Sequence, residues 1–136
     1  MKLVPMLTFN GNAAEALDHY QAVFGGQADI AYYKDFPQEF GGQVPEDIAN
    51  SIMHAGLTND LFTIYVYDEF TDDPPARFNH AVIMMLAFND FETAQTIFDQ
   101  LAQEAIVKEP FASTSFSPGY GYLIDKFGLE WQFIVE

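Results

Sequence analysis

Apolar and polar positions alternate along residues 2–9, with Leu3, Pro5, Leu7 and Phe9 on one side and Val4, Met6 and Thr8 on the other, which predicts a strand. Pro5 cannot donate to a ladder, so the strand belongs at an edge or starts there. Asn10-Gly11-Asn12 then reads as a turn in which Asn10 or Asn12 caps a helix. The period changes to three or four at Ala13, Ala16, Leu17, Tyr20 and Phe24, and the predicted helix stops at Gly25-Gly26. Residues 27–33 return to strand character, and residues 34–48, with Pro37, Gly41, Gly42 and Pro45, read as a long loop. Two strands over 50–57 and 61–67 are joined at Thr58-Asn59-Asp60, a hairpin pattern.

The pattern then repeats. Leu7-Thr8-Phe9-Asn10 returns as Leu86-Ala87-Phe88-Asn89 at the end of a strand near 80–88, and Asp90 caps a helix from Phe91 to Gln103. Strands follow over 105–111, 119–125 and 130–135, the last two joined by Asp125-Lys126-Phe127-Gly128. The order is β-α-β-β-β, twice, an α+β fold in one domain of residues 1–136. A first module spans 1–67, a second 80–136, and 68–79 (Asp68, Glu69, Asp72, Asp73, Pro74, Pro75) reads as a solvated acidic hinge.

Composition narrows the function classes. Twenty acidic residues against five basic ones leave a net charge of −15, a field that repels phosphate backbones and anionic membrane surfaces. Nucleic acid and membrane are therefore not expected partners. With no cysteine, disulfides, thiolate catalysis and Cys-ligated zinc are excluded. No signal-peptide pattern or spanning apolar run is present, so a cytoplasmic location is expected. Fourteen Phe, seven Tyr and one Trp supply enough aromatic surface for a core and a ligand cavity together. No hydrolase elbow, His-Glu-x-x-His or phosphate loop occurs.

Several segments together resemble the PhnB-like branch of the vicinal oxygen chelate superfamily (glyoxalase, bleomycin resistance, extradiol dioxygenase), a branch also labelled 3-demethylubiquinone methyltransferase-like. They are Pro5-Met6-Leu7-Thr8-Phe9-Asn10-Gly11-Asn12, Val23-Phe24-Gly25-Gly26, Met53-His54-Ala55, and Tyr120-Gly121 through Asp125-Lys126-Phe127-Gly128 to Trp131. The resemblance implies a cupped mixed sheet from each βαβββ module, a shared cavity and a homodimer. Metal enzymes of the superfamily place His and Glu on inward strand positions. Here those positions fall near Val4, at Tyr65 or Tyr67, near Ile83 and at Gln132. Two apolar residues, an aromatic and an amide do not make a ligand set for a divalent metal. No Gly-rich loop follows a strand to hold S-adenosylmethionine.

The expected function is metal-free binding of a small molecule, with Phe9, His54, Tyr65, Phe116, Tyr120, Trp131 and Gln132 lining the cavity and no cofactor. His54 is the best single catalytic candidate, as a base titrating near neutral pH, or else a hydrogen-bonded strand residue. His19 reads as packing or surface and His80 as a sheet end. Glu130 should point away from Trp131 by strand alternation. The alternative is a lyase, isomerase or dioxygenase using a divalent metal.

Overall fold

The computed structural model describes residues 1–70 and 82–136. Asp72, Asp73, Pro74 and Pro75 of the expected hinge, and His80, lie outside the described residues. The chain divides into two compact units, Met1–Pro75 and Ala76–Glu136.

In the first unit, β1 (Met6–Phe9) leads into α1 (Ala13–Phe24), then β2 (Gln27–Tyr32), β3 (Ile52–Thr58) and β4 (Thr63–Asp68). The sheet order is β1-β4-β3-β2, with β1 parallel to β4 and the other pairs antiparallel. In the second unit, β5 (Met84–Phe88), α2 (Phe91–Leu101), β6 (Ile106–Ala112), β7 (Tyr120–Ile124) and β8 (Glu130–Val135) repeat the arrangement in the order β5-β8-β7-β6. The βαβββ reading is thus the observed architecture, an α+β fold of two mixed sheets with one helix each. β1 is an edge strand, shorter than the expected 2–9 because Pro5 stands just outside it and supplies only a carbonyl, to the N–H of Tyr65 at 2.9 Å. Among the described residues, no helix is long and apolar enough to cross a membrane.

Helix α1 forms because Ala13, Ala16, Leu17 and Tyr20 fall on one face and bury it. The sheet side of that core is Leu7 and Phe9 from β1, Ile52, Ala55 and Leu57 from β3, and Ile64 and Val66 from β4. The helix ends where Gly25 and Gly26 take positive φ, and a Cβ on Gly26 would press on the carbonyl oxygen of Thr58. Helix α2 buries Ala94, Phe98 and Leu101 in the same way, against Phe111, Leu123, Trp131, Phe133 and Val135. Phe98 meets Phe133 edge to face at 5.2 Å, and Phe88 stacks on Phe133 at 5.4 Å. Gly121 lies beneath this cluster: a Cβ there would sit 2.6 Å from the ring of Phe98.

Two buried aspartates tie the elements together. Asp68, expected at the start of a solvated hinge, is the last residue of β4 and only 1% exposed. Its Oδ1 accepts the N–H groups of Gly11 (2.8 Å) and Ala13 (2.9 Å), and its Oδ2 accepts that of Ile52 (3.0 Å). One carboxylate thus joins the turn after β1, the start of α1 and the start of β3. Asn12 stands at the N-cap but makes no side-chain cap bond, so capping comes from across the sheet and not from the local asparagines. The solvated reading fails at Asp68 because a carboxylate-rich run looks solvated whether or not buried N–H donors await one of its members. In the second unit Asp90 caps α2 as expected, accepting from Thr93 N at 2.8 Å. There Asp125 is the tie: Oδ1 accepts from Phe127 N and Leu129 N, and Oδ2 from Trp131 Nε1 at 2.9 Å.

Two stability predictions follow from these contacts. Asp68→Asn puts an amide donor among three N–H donors, and should lower the unfolding free energy by about 2–4 kcal/mol in urea titrations of unchanged slope. A loss below about 0.5 kcal/mol would match an ordinary surface change and contradict the tie. Gly121→Ala should cost about 1–3 kcal/mol through overpacking on Phe98, and a neutral result in the same assay would contradict the packing described.

Candidate functional site

Each sheet has one helix and therefore one covered face. On the opposite face of the first sheet stand Met6 and Thr8 of β1, Tyr65 and Tyr67 of β4, His54 and Gly56 of β3, and Asp29 of β2, as the strand register requires. Tyr65 lies over Gly56, its ring carbons 3.3 Å from where a Cβ would be, because glycine leaves that space open. The His54 ring packs on Tyr65 at 4.8 Å with a tilt of 58°. His54 reaches this face by alternation with buried Ala55, and a β-bulge lies on its N-terminal side: Ala31 pairs with His54 and Tyr32 with Ile52, so Met53 is the extra residue. The bulge is what returns Ile52 to the covered face. Tyr67 donates its hydroxyl to Glu69 Oε2 at 3.4 Å.

On the open face of the second sheet stand Met85 and Ala87 of β5, Tyr120, Tyr122 and Ile124 of β7, and Glu130, Gln132 and Ile134 of β8. Glu130 faces away from Trp131, as alternation requires, and is 3% exposed. It accepts a hydrogen bond from the hydroxyl of Tyr122. Phe116 sits edge-on to Tyr120 at 5.2 Å, in a loop fastened by Thr114 and by the buried hydroxyl of Ser117, which lies 2.7 Å from the carbonyl oxygens of Gly119 and Val135.

The expected cavity residues fall partly in one unit and partly in the other. His54 and Tyr65 come together in the first unit; Phe116, Tyr120 and Gln132 share a region of the second. Phe9 and Trp131 do not join them. Phe9 shares the buried face of Leu7, and Trp131 shares that of Phe133 with its Nε1–H on Asp125, so both are core residues. His19 packs beside Tyr20 on α1, at 5.8 Å between rings. Sequence reasoning passed over Tyr122 and the pairing of Glu130 with it. The signal was present in Tyr120-x-Tyr122 and Glu130-x-Gln132, two period-two pairs on facing strands.

The positions expected for metal ligands fit a divalent ion poorly. Val4 and Ile83 lie just before β1 and β5, the open-face residues of those strands are Met6, Thr8, Met85 and Ala87, and Gln132 supplies only an amide. Among the described residues, no group of three or more His, Asp or Glu side chains could hold a metal ion.

Burial, and then the charge and hydrogen bond of a neighbouring glutamate, raise the hydroxyls of Tyr67 (Glu69) and Tyr122 (Glu130) above the ordinary phenol value. A raised folded-state value favours the protonated, folded form. The stabilisation is complete at neutral pH and is lost as pH climbs past about 10 towards the raised values. Absorbance titration of phenolate should show these tyrosines, with Tyr33, ionising later than an ordinary phenol, and Tyr122→Phe should remove one late step. Loss of an early step instead would contradict the pairing with Glu130.

A family model described as 3-demethylubiquinone-9 3-methyltransferase matches residues 1–134. The structure of protein PA1353 from Pseudomonas aeruginosa is similar at 28% identity and a TM-score of 0.82, over 100% of this chain and 98% of that one. The PhnB protein of Bacillus cereus is similar at 27% identity and a TM-score of 0.79, over 100% of both chains. A possible glyoxalase from Bacillus cereus shares the fold at 12% identity and a TM-score of 0.57, over 98% of this chain and 99% of that one. With two βαβββ modules and a family match over nearly its whole length, the chain belongs to the 3-demethylubiquinone-9 3-methyltransferase family, the PhnB-like branch of the vicinal oxygen chelate superfamily.

Proposed function

We propose that this protein binds a small organic molecule without a metal, and that the open sheet faces are the surfaces that contact it. One observation carries the reading. The open faces hold Tyr65, Tyr67, Tyr120, Tyr122 and Gln132, all half-buried, where neither helix needs them for its core. Such positions combine flat apolar area with a polar tip, the mixture that ligand sites use. His54 against Tyr65, and Phe116 against Tyr120, add a further ring at each place. The metal-free part of the proposal rests on the donor set, which offers thioethers, hydroxyls and an amide where His and Glu would be required. The homodimer belongs to the same proposal, and exposed Ile106 and Val107 are apolar surface available for it.

The family description names a methyl transfer, and the residues of this chain do not fit S-adenosylmethionine. The turn after β1, where a nucleotide-type fold receives its cofactor, is not Gly-rich, and its Gly11 N–H is already taken by Asp68. No step through that cofactor is derived.

A thermal-shift screen of metabolites against the metal-free chain tests the proposal. A ligand at a hundred times its Kd adds about 2.7 kcal/mol, which should raise the Tm visibly, and Tyr120→Ala or Tyr65→Ala should remove the rise. Elemental analysis of protein purified without chelator or immobilised metal is the companion measurement. About one Zn, Ni, Mn or Fe per chain would contradict the metal-free reading and favour a lyase, isomerase or dioxygenase.

A further inference from the structure

The register of the second sheet aligns Met85, Gln132, Tyr122 and Glu109 in one row across β5, β8, β7 and β6. Glu130 is two residues from Gln132 on the same face. Opposed side chains in such a row lie about 5 Å apart at Cβ, so a single small ligand spans several of them.

The chemistry of this row is one-sided. A phenol has one proton to donate, and that of Tyr122 goes to the buried carboxylate of Glu130. What Tyr122 then turns to the solvent side is an oxygen with lone pairs and no hydrogen. Met85 offers a thioether, a weak acceptor, and Gln132 an amide oxygen that can join them. Glu109 and Glu130 add two carboxylates on either side of Tyr122, one exposed and one 3% exposed. The in-register positions of the face on β5, β7 and β8, Met85 and Ala87, Tyr120 to Ile124, and Glu130 to Ile134, carry no Lys, Arg or His. The cation of β6 is Lys108, the exposed bulge residue before Glu109. Lys126, in the turn between β7 and β8, is spent on Glu104 at 3.6 Å and lies over the ring of Phe127. Apolar contact is available from Tyr120, Ile134 and the exposed ring of Phe116.

We propose that this face selects a ligand with a protonated amine on a flat apolar body, the N–H groups received by the Tyr122 oxygen and the Gln132 amide, and the charge by Glu109 and Glu130. An ammonium supplies both the donors and the sign that the row lacks, and a charge-assisted hydrogen bond is about twice as strong as a neutral one. An aromatic body can lie against Tyr120 and Phe116, whose ring faces also attract a cation. The overall charge of −15 draws such ligands in and repels carboxylates. The proposal rests on the small-molecule-binding reading and names the ligand class for it.

Three probes of one shape separate the outcomes: 1-naphthylmethylamine, 1-(methoxymethyl)naphthalene and 1-naphthoate, each titrated into the whole chain by calorimetry and by NMR. The amine should bind about tenfold or more tighter than the ether, with shifts at Tyr122, Glu130 and Gln132, and the naphthoate should bind weakest. Glu109→Gln, an exposed substitution that leaves the core alone, should cut the amine's advantage over the ether by about threefold and leave the ether's affinity unchanged. Glu130→Gln should cut it further, with circular dichroism confirming the fold. Equal affinity for amine and ether, an undiminished advantage in Glu109→Gln, or amine shifts confined to other strands would overturn the ligand class and leave small-molecule binding standing. Silence from all three probes together with a silent metabolite screen would overturn both.

Discussion

Among the described residues each unit has four strands and one α-helix, and that arithmetic governs the molecule. A helix can cover one face of a sheet, so the apolar residues of each module are sorted onto that face and a second face is left over. The sorting holds only if the elements are held in place, and each module has a buried carboxylate that fastens some of them: the start of α1 in the first, the β7–β8 turn in the second. Asp68 gathers three N–H groups from the turn after β1, the start of α1 and the start of β3. Asp125 gathers two backbone N–H groups and the Trp131 indole at the β7–β8 turn. Buried carboxylates persist only when their lone pairs are filled, at Asp68 by groups from separate elements and at Asp125 by the turn that follows it and the Trp131 indole.

The two modules repeat a topology without repeating its fastenings. α2 is capped by its own Asp90, in the first position before the helix, whereas α1 is capped from the far end of β4. The first module is therefore tied between residues more than fifty apart in the chain, and the second largely by neighbours. The open faces differ too. The first carries His54 and Tyr65 around a glycine; the second carries a cross-strand row ending in carboxylates. The scaffold is used twice, and the two copies differ in the residues of their leftover faces.

Much of this was legible in the chain. Period-two and period-three-to-four patterns are direct consequences of strand and helix geometry, so element order, both helices and the doubled module could be read from Leu7, Phe9, Leu17 and their counterparts. The site was less legible, because facing depends on register and not on residue type. Trp131 and Gln132 were both plausible cavity residues until Phe133 and its contact with Phe98 fixed the parity of β8. Phe9 looked like a ligand-stacking ring and is a core residue for the same reason. The bulge at Met53 that returns Ile52 to the covered face has no glycine or proline directly beside it in the sequence. Asp68 was read as one charge in an acidic run, since a buried role becomes visible only when the donors of α1 and β3 are brought to it.

The separation of a structural face from a functional face can be measured in a single paired scan. Trp131→Ala and Phe133→Ala, on the covered side, should each cost about 3–5 kcal/mol of stability. Tyr120→Ala and Gln132→Ala, on the open side of the same sheet, should change stability by less than about 1 kcal/mol while abolishing the ligand-induced rise in Tm. Open-face substitutions as destabilising as the core ones, with ligand response intact in the variants that fold, would contradict the account.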